Sequence, residues 1–100
     1  MVVHVVQAIV SESNLRSFQQ LIQTHILPQY WASRGMLLVA VWKRSCVAYC
    51  DIQIVSTWES LEILDAVPGI CSGEVVKMNV QGMCIVVEPR TYEILGPLQE

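Results

Sequence analysis

The 100-residue chain has the length of one domain, and 53% of it is apolar against 15% charged, enough to build a core. A net charge of −3 without a basic stripe argues against a nucleic-acid partner, and no run of 18 uncharged apolar residues predicts a membrane-crossing helix. High apolarity in so short a chain predicts surface buried against a partner subunit. The N-terminus lacks a basic region followed by an apolar core and cleavage site, so no signal peptide is expected and the chain reads as cytoplasmic. Cys46, Cys50, Cys71 and Cys84 form no CxxC pair. They read as reduced, small apolar residues, with zinc binding or a disulfide as the alternatives.

Residues 2–10, VVHVVQAIV, read as a strand. One face carries Val2, His4, Val6, Ala8 and Val10; the other carries Val3, Val5, Gln7 and Ile9. Both are largely apolar, so both should be covered. Ser11 to Asn14 is a helix-start cluster. Leu15, Phe18, Leu21, Ile22, His25 and Ile26 follow as an amphipathic stripe, with Arg16, Gln19, Gln20 and Gln23 pointing away. Pro28 is expected to break or kink this helix, and residues 29–33 to form another turn before Gly35. Residues 36–43 are a second strand. A hairpin turn falls within residues 44–49, without an Asn-Gly signal to fix it.

A third strand starts at Cys50. Ile52, Ile54, Ser56 and Trp58 share one face; Asp51, Gln53, Val55 and Thr57 share the other. Trp58 should sit at the rim of whatever the isoleucines cover. The rhythm then becomes helical. Ser60 can cap, Glu59 and Glu62 suit a helix start, and Leu61, Ile63, Leu64 and Val67 form the apolar rows until Pro68-Gly69. Residues 70–83 are the least readable, with 74–79 a short helix or a fifth strand and Gln81-Gly82 a turn. Residues 83–87 and 91–95 read as strand, interrupted at Pro89 by a bulge or break. Gly96-Pro97 ends the strand.

The order βαββαβ is the ferredoxin-like α+β unit, an antiparallel sheet with helices on one face, spanning residues 1–100 as a single domain. The other sheet face is also apolar, and a second copy pressed sheet to sheet would cover it as a homodimer.

The strand ending VWKR (41–44), the segment IVSTWESLE (54–62) and the closing RTYEIL (90–95) give the chain a family likeness. It resembles the antibiotic-biosynthesis monooxygenase-like family of dimeric α/β-barrel proteins over nearly its whole length. That family includes cofactor-independent quinol oxygenases, haem-degrading oxygenases and members of unknown activity. The resemblance implies a pocket between sheet and helices with Trp58 in it. In the haem-degrading branch a strand-one asparagine, this tryptophan and a histidine act together. Gln7 takes the asparagine's position here, and no histidine lies between Val67 and Gly82, so no haem and no other cofactor is expected.

The resulting expectation is O₂-dependent oxidation of a quinol-like, apolar or aromatic small molecule. Gln7 would hold a substrate oxygen, His25 would act as base near neutral pH, and Trp58 would pack the ring. Each has a plainer reading: a core tryptophan whose N–H finds a partner, an internally bonded amide, and a satisfied, half-buried histidine. Ser56 shares the Trp58 face. Tyr30 and Trp31 close the pocket mouth or pack under the connection. Trp42 and Tyr49 read as sheet or dimer-interface packing, and Tyr92 as structural. There is no GxGxxG, P-loop or GxSxG, and Glu59, Glu62 and Asp65 are not taken as a metal site. The alternative function is a non-catalytic small-molecule-binding or stress-associated homodimer; a third is a filled core acting only through its dimer surface.

Overall fold

The computed structural model describes residues 1–79 and 82–95. Strand β1 (Val2–Ser11) leads through a 3₁₀ turn (Glu12–Asn14) into α1 (Leu15–Leu21), a π-helical turn (Ile22–Ile26) and α2 (Leu27–Trp31). Strands β2 (Met36–Cys46) and β3 (Tyr49–Trp58) form a hairpin, followed by α3 (Leu61–Asp65), α4 (Glu74–Asn79) and β4 (Cys84–Glu93). The sheet is antiparallel throughout, in the order β2-β3-β1-β4. This is the ferredoxin-like α+β fold, with the expected element order.

Register decides which face becomes the core. Val2 pairs with Trp58, His4 with Ser56 and Val6 with Ile54. The even-numbered residues of β1 therefore share a face with Ile52, Ile54, Ser56 and Trp58, and both sets are buried. Phe18, Ile22, Ile26, Leu27, Tyr30, Leu64 and Val76 from the helices, with Ile70 from the turn before α4, complete the core with that face. Val3, Val5, Gln7 and Ile9 lie on the opposite face and are only half-buried. Leu38, Trp42, Tyr49, Val86 and Tyr92 stand exposed on that open face.

The first helix does not stop at Pro28. The π-helical turn precedes the proline, which then falls in the first turn of α2, where a missing N–H costs little. The wider turn also changes the apolar stripe. Phe18, Ile22, Ile26 and Tyr30, four apart, form the buried row, and His25 is turned out into solvent. Pro89 does not divide the last strand either. β4 runs through it, and the irregularity lies where Ile9 pairs with Val86 but Val10 with Cys84. β4 is an edge strand, where proline is tolerated. Residues 74–79 are a helix rather than a strand. The Gly96-Pro97 stop and Gln81 lie outside the described residues.

Ser60 caps α3 as expected, its Oγ accepting the Ile63 N–H at 3.2 Å. The hairpin turn is tight, with Ala48 in the left-handed region at φ 67°. A side chain there costs about 1–2 kcal/mol, while a glycine restores unfolded-chain entropy. Ala48→Gly is therefore expected to raise thermal stability by about 0.5–1 kcal/mol, read as an increase in Tm; a lower Tm contradicts the strain.

Candidate active site

The sheet's buried face carries one polar cluster. His4 is 0% exposed, and its Nε2 lies 2.9 Å from the Cys71 carbonyl oxygen. A carbonyl only accepts, so Nε2 carries the proton and Nδ1 is left as a bare acceptor. Nδ1 is buried and has no hydrogen-bond partner. Across the strand pair, Ser56 Oγ accepts the Trp58 indole N–H at 2.8 Å. The Ser56 hydroxyl reaches the His4 carbonyl only at 3.4 Å, long for O–H···O, so its proton is weakly committed. One bare acceptor and one loosely held donor thus face the same apolar interior.

Burial holds the His4 pKa below the usual histidine range, partly opposed by the hydrogen bond to Cys71. The unfolded chain takes up a proton near 6.5 that the folded chain resists. This contribution to stability is intact above 6.5 and is lost as pH falls through the depressed folded value. The difference in Tm between wild type and His4→Gln is expected to narrow from pH 7.5 to pH 5; a difference independent of pH refutes the neutral buried imidazole. Nearby, Cys71 Sγ donates to Asp65 Oδ1 at 3.2 Å. Burial and then the Asp65 carboxylate raise its pKa, which keeps it a thiol rather than a nucleophile.

The other candidates do not all converge on this cluster. Trp58 is 0% exposed, inside the core rather than at its rim; beside it the Gly35 carbonyl accepts the Glu59 N–H at 3.1 Å. Ser56 is beside it. Gln7 lies on the opposite face, where its Nε2 donates to Asp51 Oδ1 at 3.1 Å; it cannot share a pocket with Trp58. The reason is the pleat, since residue 7 is out of phase with residues 2 and 4. His25 is on the outer side of the π-helical turn, its Nδ1 2.7 Å from Thr24 Oγ1. Tyr30 is wholly buried, whereas Trp31 is 60% exposed and closes nothing.

Two of the cavities lined by described residues do not include Trp58. One, of about 480 Å³, is on the open sheet face against Gln7, Trp42, Lys43, Arg44, Asp51 and Gln53. The other, about 420 Å³, lies against Ser17, Gln20, Leu21, Thr24, His25 and Met83. Trp58, Tyr30 and Leu64 are each wholly buried, and the turn that carries Cys71 meets His4 through its carbonyl.

Sequence reasoning passed over His4. The usable signal was its position in β1: residues 4, 6 and 8 alternate with Gln7, so only one of His4 and Gln7 can face Trp58. Among the described residues no group of three or more His, Cys, Asp or Glu could hold a metal ion, and no helix is long and apolar enough to cross a membrane.

No protein-family model and no curated protein matches the chain. Solved structures do. A protein from Deinococcus radiodurans, provisionally named an antibiotic biosynthesis monooxygenase, superposes with a TM-score of 0.75 at 18% identity over 100% of this chain and 98% of its own. A similarly named protein from Nitrosomonas europaea gives 0.73 at 13% identity, over 96% of this chain and 100% of its own. SnoaB, a cofactor-independent oxygenase from Streptomyces nogalater, gives 0.69 at 12% identity, over 99% and 98%. The chain shares the fold of these proteins, and the resemblance seen in its sequence is supported at that level.

Proposed function

We propose that the protein is a cofactor-independent monooxygenase acting on a quinol-like aromatic molecule between the sheet and the helices. One observation carries this reading: a wholly buried imidazole with a bare ring nitrogen, beside Ser56 and Trp58. Buried polar atoms are nearly always satisfied, and an orphaned acceptor in an apolar interior suits a ligand hydroxyl. Likeness to SnoaB supports the reaction class but supplies no residue.

In this scheme the substrate hydroxyl gives its proton to His4 Nδ1, and Ser56 donates to the oxygen on which charge develops. The electron-rich anion transfers one electron to O₂. The aryloxyl radical and superoxide combine at a ring carbon as a peroxide. Loss of water leaves a ring carbonyl, so one oxygen atom of O₂ enters the product and the other leaves as water. Trp58 packs the ring, with its orientation fixed by Ser56. His25 is too exposed and too far round the helix to serve here, and Gln7 is on the wrong face. Access requires displacement of the turn that carries Cys71.

The assembly belongs to the same proposal. The open face exposes 65% of Leu38, 59% of Trp42 and 50% of Tyr92, and a second copy laid on it would cover them in a homodimer. A monomer by light scattering at micromolar concentration removes that part.

Oxygen uptake with a panel of hydroquinones, naphthols and anthrones tests the activity, with turnover and a carbonyl product expected. The rival reading, a non-catalytic homodimer, is favoured by a Trp58 that is wholly buried with its indole N–H already bonded to Ser56. Absence of oxygen uptake throughout the panel, together with a dimer in solution, selects it.

A further inference from the structure

We propose that the groove beside His25 binds a small neutral phenol, at a site separate from the interior at His4. Ser17, Gln20, Leu21 and Thr24 follow one another at three- and four-residue steps along α1 and the π-helical turn, so they share one side of the helix. Together with His25 and Met83 they line a cavity of about 420 Å³, within the range of small-ligand pockets. Leu21 and Met83 also pack against the core beneath the helices. The groove is thus on the helical side of the sheet, and a second copy laid on the open face leaves it free.

The histidine is prepared for a hydrogen-bond donor. Thr24 Oγ1 donates to the Gln20 carbonyl at 2.8 Å. A carbonyl only accepts, so that contact uses the hydroxyl's one proton. His25 Nδ1 lies 2.7 Å from the same Thr24 oxygen and brings its own proton to the contact. The neutral ring then keeps Nε2 as a bare acceptor, with no partner among the described residues. The π-helical turn that takes His25 off the buried row sets it in this groove, and such turns recur at functional sites.

The lining selects the ligand. None of the six residues is a carboxylate, a lysine or an arginine, so the groove offers no counter-charge to an ion. Leu21 and the thioether of Met83 suit an aromatic ring. The bare Nε2 takes the proton of a hydroxyl. A phenol supplies both the ring and the donor, and the Gln20 amide and Ser17 hydroxyl remain for a second polar group on the ring.

The chain has two histidines, so imidazole NMR signals give each site its own reporter. The test is titration of the full chain with phenol and with anisole at about pH 8.5, where imidazole is neutral. Before any ligand is added, His25 should carry its proton on Nδ1. Phenol is expected to bind saturably and to move the His25 Nε2 signal. Anisole has the ring but no donor, and should bind about three- to tenfold more weakly by the same signal. Thr24→Val should shift the His25 proton toward Nε2 and weaken phenol by a similar factor. Equal affinity for phenol and anisole overturns the proposal, as does a wild-type His25 proton found on Nε2. His25 signals that stay fixed up to about 10 mM phenol overturn it too, whatever the His4 signals do. The wild-type arms decide the matter even if Thr24→Val fails to fold, and no arm depends on oxygen uptake.

Discussion

Substituting His4→Gln is expected to lower kcat for quinol oxidation by about 10²–10⁴-fold, the range a positioned general base contributes. Glutamine can still place an amide N–H toward the Cys71 carbonyl, so the local hydrogen bond survives while the basic nitrogen disappears. KM should move far less than kcat, because the group acts on the proton rather than on the ring. Since burial lowers the pKa of His4, the wild-type rate should hold below the pH at which an exposed histidine is half protonated, and fall only at more acid pH. Ser56→Ala should reduce kcat without removing that acid limb. A His4→Gln enzyme with wild-type turnover assigns the base elsewhere and removes the central support for the proposed chemistry.

Gly35→Ala is expected to destabilise the fold by about 3 kcal/mol, from two sources. The residue sits at φ +81°, where a side chain costs about 1–2 kcal/mol. A Cβ would also run into Ile63 Cγ2, and overpacking of this kind costs about 1–3 kcal/mol. Ile63 cannot swing aside cheaply, because its branched Cβ is stiff about χ1. The strain would fall on the turn before β2, which the Gly35–Glu59 hydrogen bond ties to the end of β3. Thermal melts should show a fall of more than about 10 °C. Ile63→Ala removes the clashing methyl, so the double mutant should cost less than the sum of the single changes by about 1 kcal/mol or more. Additive losses would mean that only the backbone conformation matters.

Local chemistry made much of the fold legible. The 51–58 alternation, the Ser60 cap and the β1 pattern were all readable, and with them the βαββαβ order. What failed was long-range. Both faces of β1 are apolar, so alternation separated His4 from Gln7 without saying which of them faced the helices; only pairing with residues some fifty positions later decides that. Pro28 was read by its usual effect on a regular helix, and the π-helical turn before it moved His25 off the buried row. Pro89 was read as a break because nothing local marks β4 as the edge of the sheet. Tryptophan at the end of a strand suggested a rim position, but Trp58 is wholly buried, and a strand's alternation does not say what covers its end.

The central place of β1 has a consequence for how the chain is made. Val2–Ser11 is made before either of its partners, since it pairs with Tyr49–Trp58 on one side and Cys84–Glu93 on the other. Val2 faces Glu93 at the far end of the described chain. β1 therefore has two unpaired edges until β3 is made, and one of them stays unpaired until β4 is made. Such widely separated partners slow folding. During synthesis the nascent chain presents an apolar strand able to pair with other chains, which makes chaperone occupancy at β1 a matter of topology.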